Sequence, residues 1–188
     1  MDYNMEVAGL KRSLPLCRVN DELYIAAFVI FGDVELTIAC ARELLKIAPE
    51  HDVIITAESK GIPLVYEMAR QNRENKYLIA RKAPKLYMRN VFSTEVTSIT
   101  TVNRQMLFID QNDADLMRGK RVLIVDDVIS TGESLKAVEK LVHQAGGEVV
   151  GKMAVLAEGP AMNRSDILYL HTLPLFNADG SPKAEEFA

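Results

Sequence analysis

Val122-Leu123-Ile124-Val125-Asp126-Asp127-Val128-Ile129-Ser130-Thr131-Gly132-Glu133-Ser134 is the stretch that decides how this 188-residue chain folds. Its first four residues are a continuous branched apolar run, the pattern of a strand buried on both faces of a parallel sheet. Beyond a polar turn, Leu135, Val138, Leu141 and Val142 recur at helical spacing over Glu133–Gln144, and Gly146-Gly147 can take the positive φ that ends a helix. The unit is strand, turn, helix.

Working outward, the same unit recurs. Val53–Ala57 is a second short apolar strand, Glu58-Ser59-Lys60-Gly61 a polar turn, and Pro63 opens a helix with Leu64, Met68 and Ala69 facing inward. Earlier, Asp33 is placed to cap a helix with Leu36, Cys40, Leu44 and Ile47 on one face, stopped by Pro49. Tyr77–Ala80, Arg104–Asp110 and Glu148–Ala157 read as further strands, Met117–Lys120 as a turn, and Arg81–Gln105 as a mobile or hairpin-like excursion. Alternating strands and helices predict an α/β fold: a Rossmann-like, mainly parallel sheet flanked by helices, with right-handed crossovers. Ligands then bind outside the carboxyl ends of the strands, so the loops after Ala57 and Val125 share one edge.

The composition, 48% hydrophobic, suits a single domain over residues 1–188. The formal charge of −4, from 22 basic and 26 acidic residues spread along the chain, gives no support to nucleic acid as a partner. The longest apolar run, Tyr24–Phe31, falls short of the roughly twenty residues that cross a bilayer, and Met1–Cys17 has no signal-peptide core. A cytoplasmic protein without a membrane partner is expected. Cys17 and Cys40 have neither disulfide-framework nor zinc-ligand spacing. The tail, Asn177–Ala188, is expected to be poorly ordered.

The turn after Val125 carries the chemistry. Gly132 permits a close approach, and the first amides of the helix and the hydroxyls of Ser130, Thr131 and Ser134 can converge on one phosphate. Asp126 and Asp127 stand at the end of a buried strand, where two like charges are costly unless hydroxyls, cations or a metal compensate; a ribose diol and hydrated magnesium would do so. Singly, these residues could be ordinary strand and helix caps. Their joint order is a far longer constraint. Neither G-x-x-x-x-G-K-S/T nor G-x-G-x-x-G occurs here, which sets aside a nucleoside-triphosphate or dinucleotide loop.

Val122–Ser134 resembles the phosphoribosyl-pyrophosphate signature of type I phosphoribosyltransferases, a family that includes purine-salvage enzymes. The resemblance implies that Asp126 and Asp127 hold the ribose 2′ and 3′ hydroxyls, and that Ile129, Ser130, Thr131, Gly132, Glu133 and Ser134 bind the 5′-phosphate. Glu58–Gly61 is similar to the family's pyrophosphate loop, with Ser59 and Lys60 donating to pyrophosphate and a strained or cis peptide near Glu58-Ser59 aiming the amides inward. Arg81-Lys82-Ala83-Pro84-Lys85-Leu86 resembles the R-K-x-x-K-L element of adenine enzymes, making Lys82 and Lys85 further pyrophosphate ligands and Lys82 a catalytic residue beside Asp126 and Asp127. As bare sequence, these are equally a polar turn and a solvated basic turn.

By the same resemblance, residues 1–32 form a hood over the base, 33–175 the core and 176–188 a tail, with 86–105 as the flexible lid. The lid departs from the adenine pattern: it offers Thr100, Thr101, Val102 and Asn103 where an acid and a Thr-Asp pair are usual, with Glu95 its one acid. Phe28, Val29 and Phe31 are candidate base contacts, although core filling explains them as well. Val155–Glu158 and Asn163-Arg164 resemble the segment after the last core strand, with Glu158 close to where xanthine enzymes place a basic residue, which tilts the reading toward adenine. The implied cofactor is Mg2+, held mainly by substrate and partly by Asp126 and Asp127; the implied assembly is a homodimer. The alternatives are a xanthine or other 6-oxopurine enzyme and a non-catalytic phosphoribosyl-pyrophosphate sensor. The segment before Asp33 is short for a winged-helix module, which counts against the sensor, and a pyrimidine-acting or pyrophosphate-kinase relative fits the R-K-x-x-K-L element less well.

Overall fold

The structure is a computed structural model that describes residues 1–96 and 105–183. In chain order it runs β1 (Asp2–Val7), β2 (Leu10–Arg18), β3 (Tyr24–Ala26), α1 (Val34–Ile47), β4 (Val53–Ala57), α2 (Gly61–Gln71), β5 (Leu78–Ala80), β6 (Phe92–Val96), β7 (Gln105–Ile109), α3 (Gln111–Met117), β8 (Arg121–Ile129), α4 (Glu133–Gln144), β9 (Glu148–Glu158), a 3-10 turn (Gly159–Asn163), β10 (Leu168–Leu173) and β11 (Leu175–Phe176). The central sheet has the order β10-β9-β8-β4-β5, every neighbouring pair parallel. This is the helix-flanked α/β sheet that the alternating pattern predicts.

Strand alternation sorts the apolar residues into two cores. Ile55, Val122 and Ile124 point to the face covered by α3, α4 and the β6–β7 hairpin, while Ile54, Leu123 and Val125 point to the face covered by α1, α2 and the N-terminal sheet. All six are at most 2% exposed, so the strands are apolar without interruption because both faces are covered. Local signals set the helix ends. Asp33 accepts from the Leu36 amide at 3.0 Å to start α1, and Ala48, held extended before Pro49, ends it. Ile47 is exposed rather than inward.

Three elements depart from the sequence reading. α3 is hidden in a seven-residue helix burying only Ala114 and Met117, too short to show a period, and Asp110 is its cap, accepting from the Asp113 amide at 2.9 Å, rather than the end of a strand. The first 32 residues are more regular than expected: β1 and β2 form a hairpin turned at Ala8-Gly9, both with positive φ, and join β3 in an antiparallel sheet. Its fourth strand is β11, which pairs with β3 and buries Phe176 to 1% exposure. The expected loose tail is therefore ordered through Lys183, whose amide donates to the Leu175 carbonyl at 2.7 Å, while 184–188 lie outside the described residues. β6 and β7 pair antiparallel, and reciprocal 2.8 Å bonds between Arg81 and Phe108 tie the hairpin to the end of β5.

Candidate active site

β8 delivers Asp126 and Asp127 to the carboxyl edge of the sheet, and the chain turns through Ser130–Gly132 into α4. Gly132, at φ 78°, sits immediately before the helix, a left-handed conformation that a side chain would strain. A cavity of about 150 Å³ lies here, lined by Asp126 and residues 128–135. The turn expected to cradle phosphate is a concave one at a helix start, a setting in which amides and the macrodipole favour an anion.

The β4–α2 loop lies against it. Ser59 Oγ donates to Asp126 Oδ1 at 2.9 Å, and the same oxygen accepts from the Asp127 amide at 2.9 Å. Gly61 makes this approach possible: a Cβ there would stand 2.7 Å from Thr56 Oγ1 and 3.0 Å from Asp126 Oδ1. Lys60 Nζ lies 3.1 Å from Asp127 Oδ2 and donates at 2.6 Å to the Phe28 carbonyl. Asp127 is only 3% exposed, and that ammonium is the charge set against it.

Electrostatics follow from the crowding. Burial, reinforced by the neighbouring Asp127 charge, pushes the Asp126 carboxyl up to about 7. Burial likewise raises Glu158, against a hydrogen bond with Ser130 and the nearby Lys60 ammonium that favour its charged form. Among the described residues no cluster of three or more His, Cys, Asp or Glu could hold a metal by itself. The donor set fits an ion brought in on substrate oxygens and met by at most two carboxylates, not a resident metal.

Every peptide bond of the described residues is trans, and neither Glu58 nor Ser59 has positive φ, so the cis or strained peptide expected there is not found. The loop is instead braced by side chains. Glu58 accepts from the Lys82 amide at 2.8 Å and pairs with Arg81 at 3.2 Å, and these contacts hold its carboxyl below the usual range. They set the R-K-x-x-K-L element beside the β4–α2 loop, with Lys82 exposed and Lys85 half-buried. Thr100, Thr101, Val102 and Asn103 lie outside the described residues, while Glu95 stands on β6 opposite Met106.

The phosphoribosyl transferase domain family matches residues 35–170, which contain both loops and the whole parallel sheet except its last three positions on β10. The chain belongs to that family. As a phosphoribosyltransferase it is a pentosyltransferase, acting on phosphoribosyl pyrophosphate and a base. It is 30% identical over 159 residues to the xanthine phosphoribosyltransferase of Lactobacillus delbrueckii subsp. bulgaricus, covering 85% of this chain and 73% of that one. It is 33% identical over 119 residues to the adenine phosphoribosyltransferase of Thermosipho africanus, covering 63% of this chain and 66% of that one. The crystal structure of adenine phosphoribosyltransferase from Thermoanaerobacter pseudethanolicus superposes with a TM-score of 0.64 at 24% identity, over 76% of this chain and 84% of that one, a likeness of fold.

The edge of this phosphoribosyltransferase expected to meet the base is less tightly drawn. The Phe28 ring is buried at 2% exposure in the core beneath the N-terminal sheet, and only its carbonyl faces the site, at Lys60. Val29 and Phe31 are 54% and 56% exposed beside it. Glu158 ends β9 next to Ser130 and Lys60, so sequence positions 28, 60, 127, 130 and 158 meet at one edge. Sequence reasoning missed Gly61, Thr56 and the Glu58–Arg81 brace. Gly61 had a signal in its place at the start of α2, but the contacts that demand glycine, first with Thr56 and then with Asp126 on another strand, appear only once the loop is folded against both.

Proposed function

We propose that this phosphoribosyltransferase joins adenine to phosphoribosyl pyrophosphate, giving AMP and pyrophosphate. The observation that carries the donor side is the continuous run from Asp126 to Ser134, which sets two carboxylates for the ribose diol beside a concave, glycine-turned anion cradle. Asp127 and Asp126 orient the sugar and favour positive charge developing at the anomeric carbon, while the cradle anchors the 5′-phosphate so that the reacting carbon is fixed in place. Magnesium bound with the pyrophosphate would neutralise leaving-group charge. Lys60, released from Asp127 by the incoming diol, together with Ser59, Lys82 and Lys85, takes up the departing pyrophosphate. The purine N9 attacks the anomeric carbon as the C–O bond to pyrophosphate breaks, and the N9 proton leaves to solvent.

Support for adenine comes from the acceptors on the base side. The Phe28 carbonyl and the Glu158 carboxyl suit an exocyclic amino donor, and the cation beside them, Lys60, is engaged by the Phe28 carbonyl and, once released from Asp127, by the pyrophosphate. The second reading is a xanthine enzyme, favoured by the 30% identity over 85% of the chain. Pyrophosphate release measured in turn with adenine, hypoxanthine, guanine, xanthine and uracil separates them: adenine-only turnover is expected, xanthine-only turnover establishes the second reading, and silence with every base leaves a sensor. The proposal includes a homodimer, for which the exposed Tyr66, Leu86 and Tyr87 offer apolar surface; sedimentation at the monomer mass would refute it.

A further inference from the structure

We propose that Arg164 is the cation of the 5′-phosphate cradle, an inference that rests on the donor reading above. Residues 126–135 contain two aspartates and a glutamate and no Lys or Arg. The helix start contributes about half a positive charge, against roughly −1.5 to −2 on a phosphomonoester near neutrality. Lys136, one turn into α4, is already paired with Glu133 at 2.8 Å. The turn thus needs a positive partner from elsewhere in the fold.

Arg164 comes from the far end of β9, beyond the 3-10 turn, where its amide donates to the Ala161 carbonyl at 3.1 Å. Its guanidinium is oriented by a two-point fork: Nε donates to Asp166 Oδ1 at 2.9 Å and Nη2 to Asp166 Oδ2 at 2.8 Å. Asp166 is itself held by Lys152 Nζ at 2.8 Å. The remaining nitrogen, Nη1, lies over Gly132 so closely that a Cβ there would collide with it. Gly132 has a left-handed φ, and its missing side chain leaves the space that Nη1 occupies. The arrangement sets one charged N–H edge against Gly132, which lines the cradle, and holds it there by a carboxylate rather than by the ligand, as an anion site requires.

Calorimetric titrations with ribose 5-phosphate, and separately with pyrophosphate, compare the wild type with Arg164→Ala and Arg164→Lys. Ribose 5-phosphate should bind the alanine variant on the order of tenfold or more weakly, with partial recovery in the lysine variant, as for loss of one charge-assisted hydrogen bond. Pyrophosphate binding should not change. In turnover, KM for phosphoribosyl pyrophosphate should rise by a similar factor while kcat stays within about twofold. Unchanged ribose 5-phosphate affinity in Arg164→Ala, or equal weakening of both ligands, overturns the inference and leaves the donor reading intact. If the wild type itself takes up no ribose 5-phosphate, the donor reading falls and the inference with it.

Discussion

The β8–α4 turn and the N-terminal sheet are built in opposite ways. Asp126, Asp127 and the anion turn come from one unbroken strand-turn-helix, whose geometry is set by a buried strand, a left-handed glycine and a helix start. The N-terminal sheet is assembled from β1–β3 and a strand, β11, that follows the core in sequence. The segment that follows β3 contributes a main-chain carbonyl at the edge, that of Phe28, whose ring is committed to packing. On the proposed reading, the donor is gripped by a local motif, whereas the acceptor meets surfaces whose position depends on long-range assembly. Lys60 is the side chain that joins the two.

The sharpest break in that comparison is Asp127→Asn. Removing the charge proposed to face the ribose should lower kcat/KM for pyrophosphate release by about 10²–10³-fold, as when a preorganised charge-stabilising group is lost, with the fold retained by circular dichroism. Unchanged kinetics would remove Asp127 from the site. Next comes Lys60→Met. KM for phosphoribosyl pyrophosphate should rise on the order of tenfold, and hydrogen exchange at residues 26–28 should quicken as the Phe28 carbonyl loses its ammonium; exchange that stays the same would show that Lys60 does not tie the two regions.

A smaller effect concerns stability against pH. Native Asp126 keeps its proton up to about 7, whereas an aspartate of the unfolded chain releases it near 4. The native state therefore binds the extra proton through that window, and stability falls as pH rises from about 4 to about 7. Thermal melts of Asp126→Asn should show a flatter slope there than the wild type; parallel curves would mean that Asp126 titrates normally. Smallest of all, Phe31→Ala should change stability by no more than about 0.5 kcal/mol, since the ring is exposed. It should still raise KM for the base several-fold, and an unaltered KM would move the base site away from this face.

By itself the sequence determined the parallel α/β core, the ends of α1 and α4, and the cradle, because each depends on residues adjacent in the chain: Asp33 before an apolar period, four branched residues before two acids, Gly132 before a helix. α3 escaped because seven residues cannot display a period, and β1 with β2 because the hairpin's burial is partial and its partners are remote. Only the tertiary structure decided that Gly61 is wedged between Thr56 and Asp126, that Lys60 spans Asp127 and Phe28, that Arg164 lies over Gly132, and that β11 completes the N-terminal sheet. These are meetings of residues far apart in the chain, and each exists because the packing of whole elements brings their backbones within a few ångströms, a distance that no local pattern of residue types encodes.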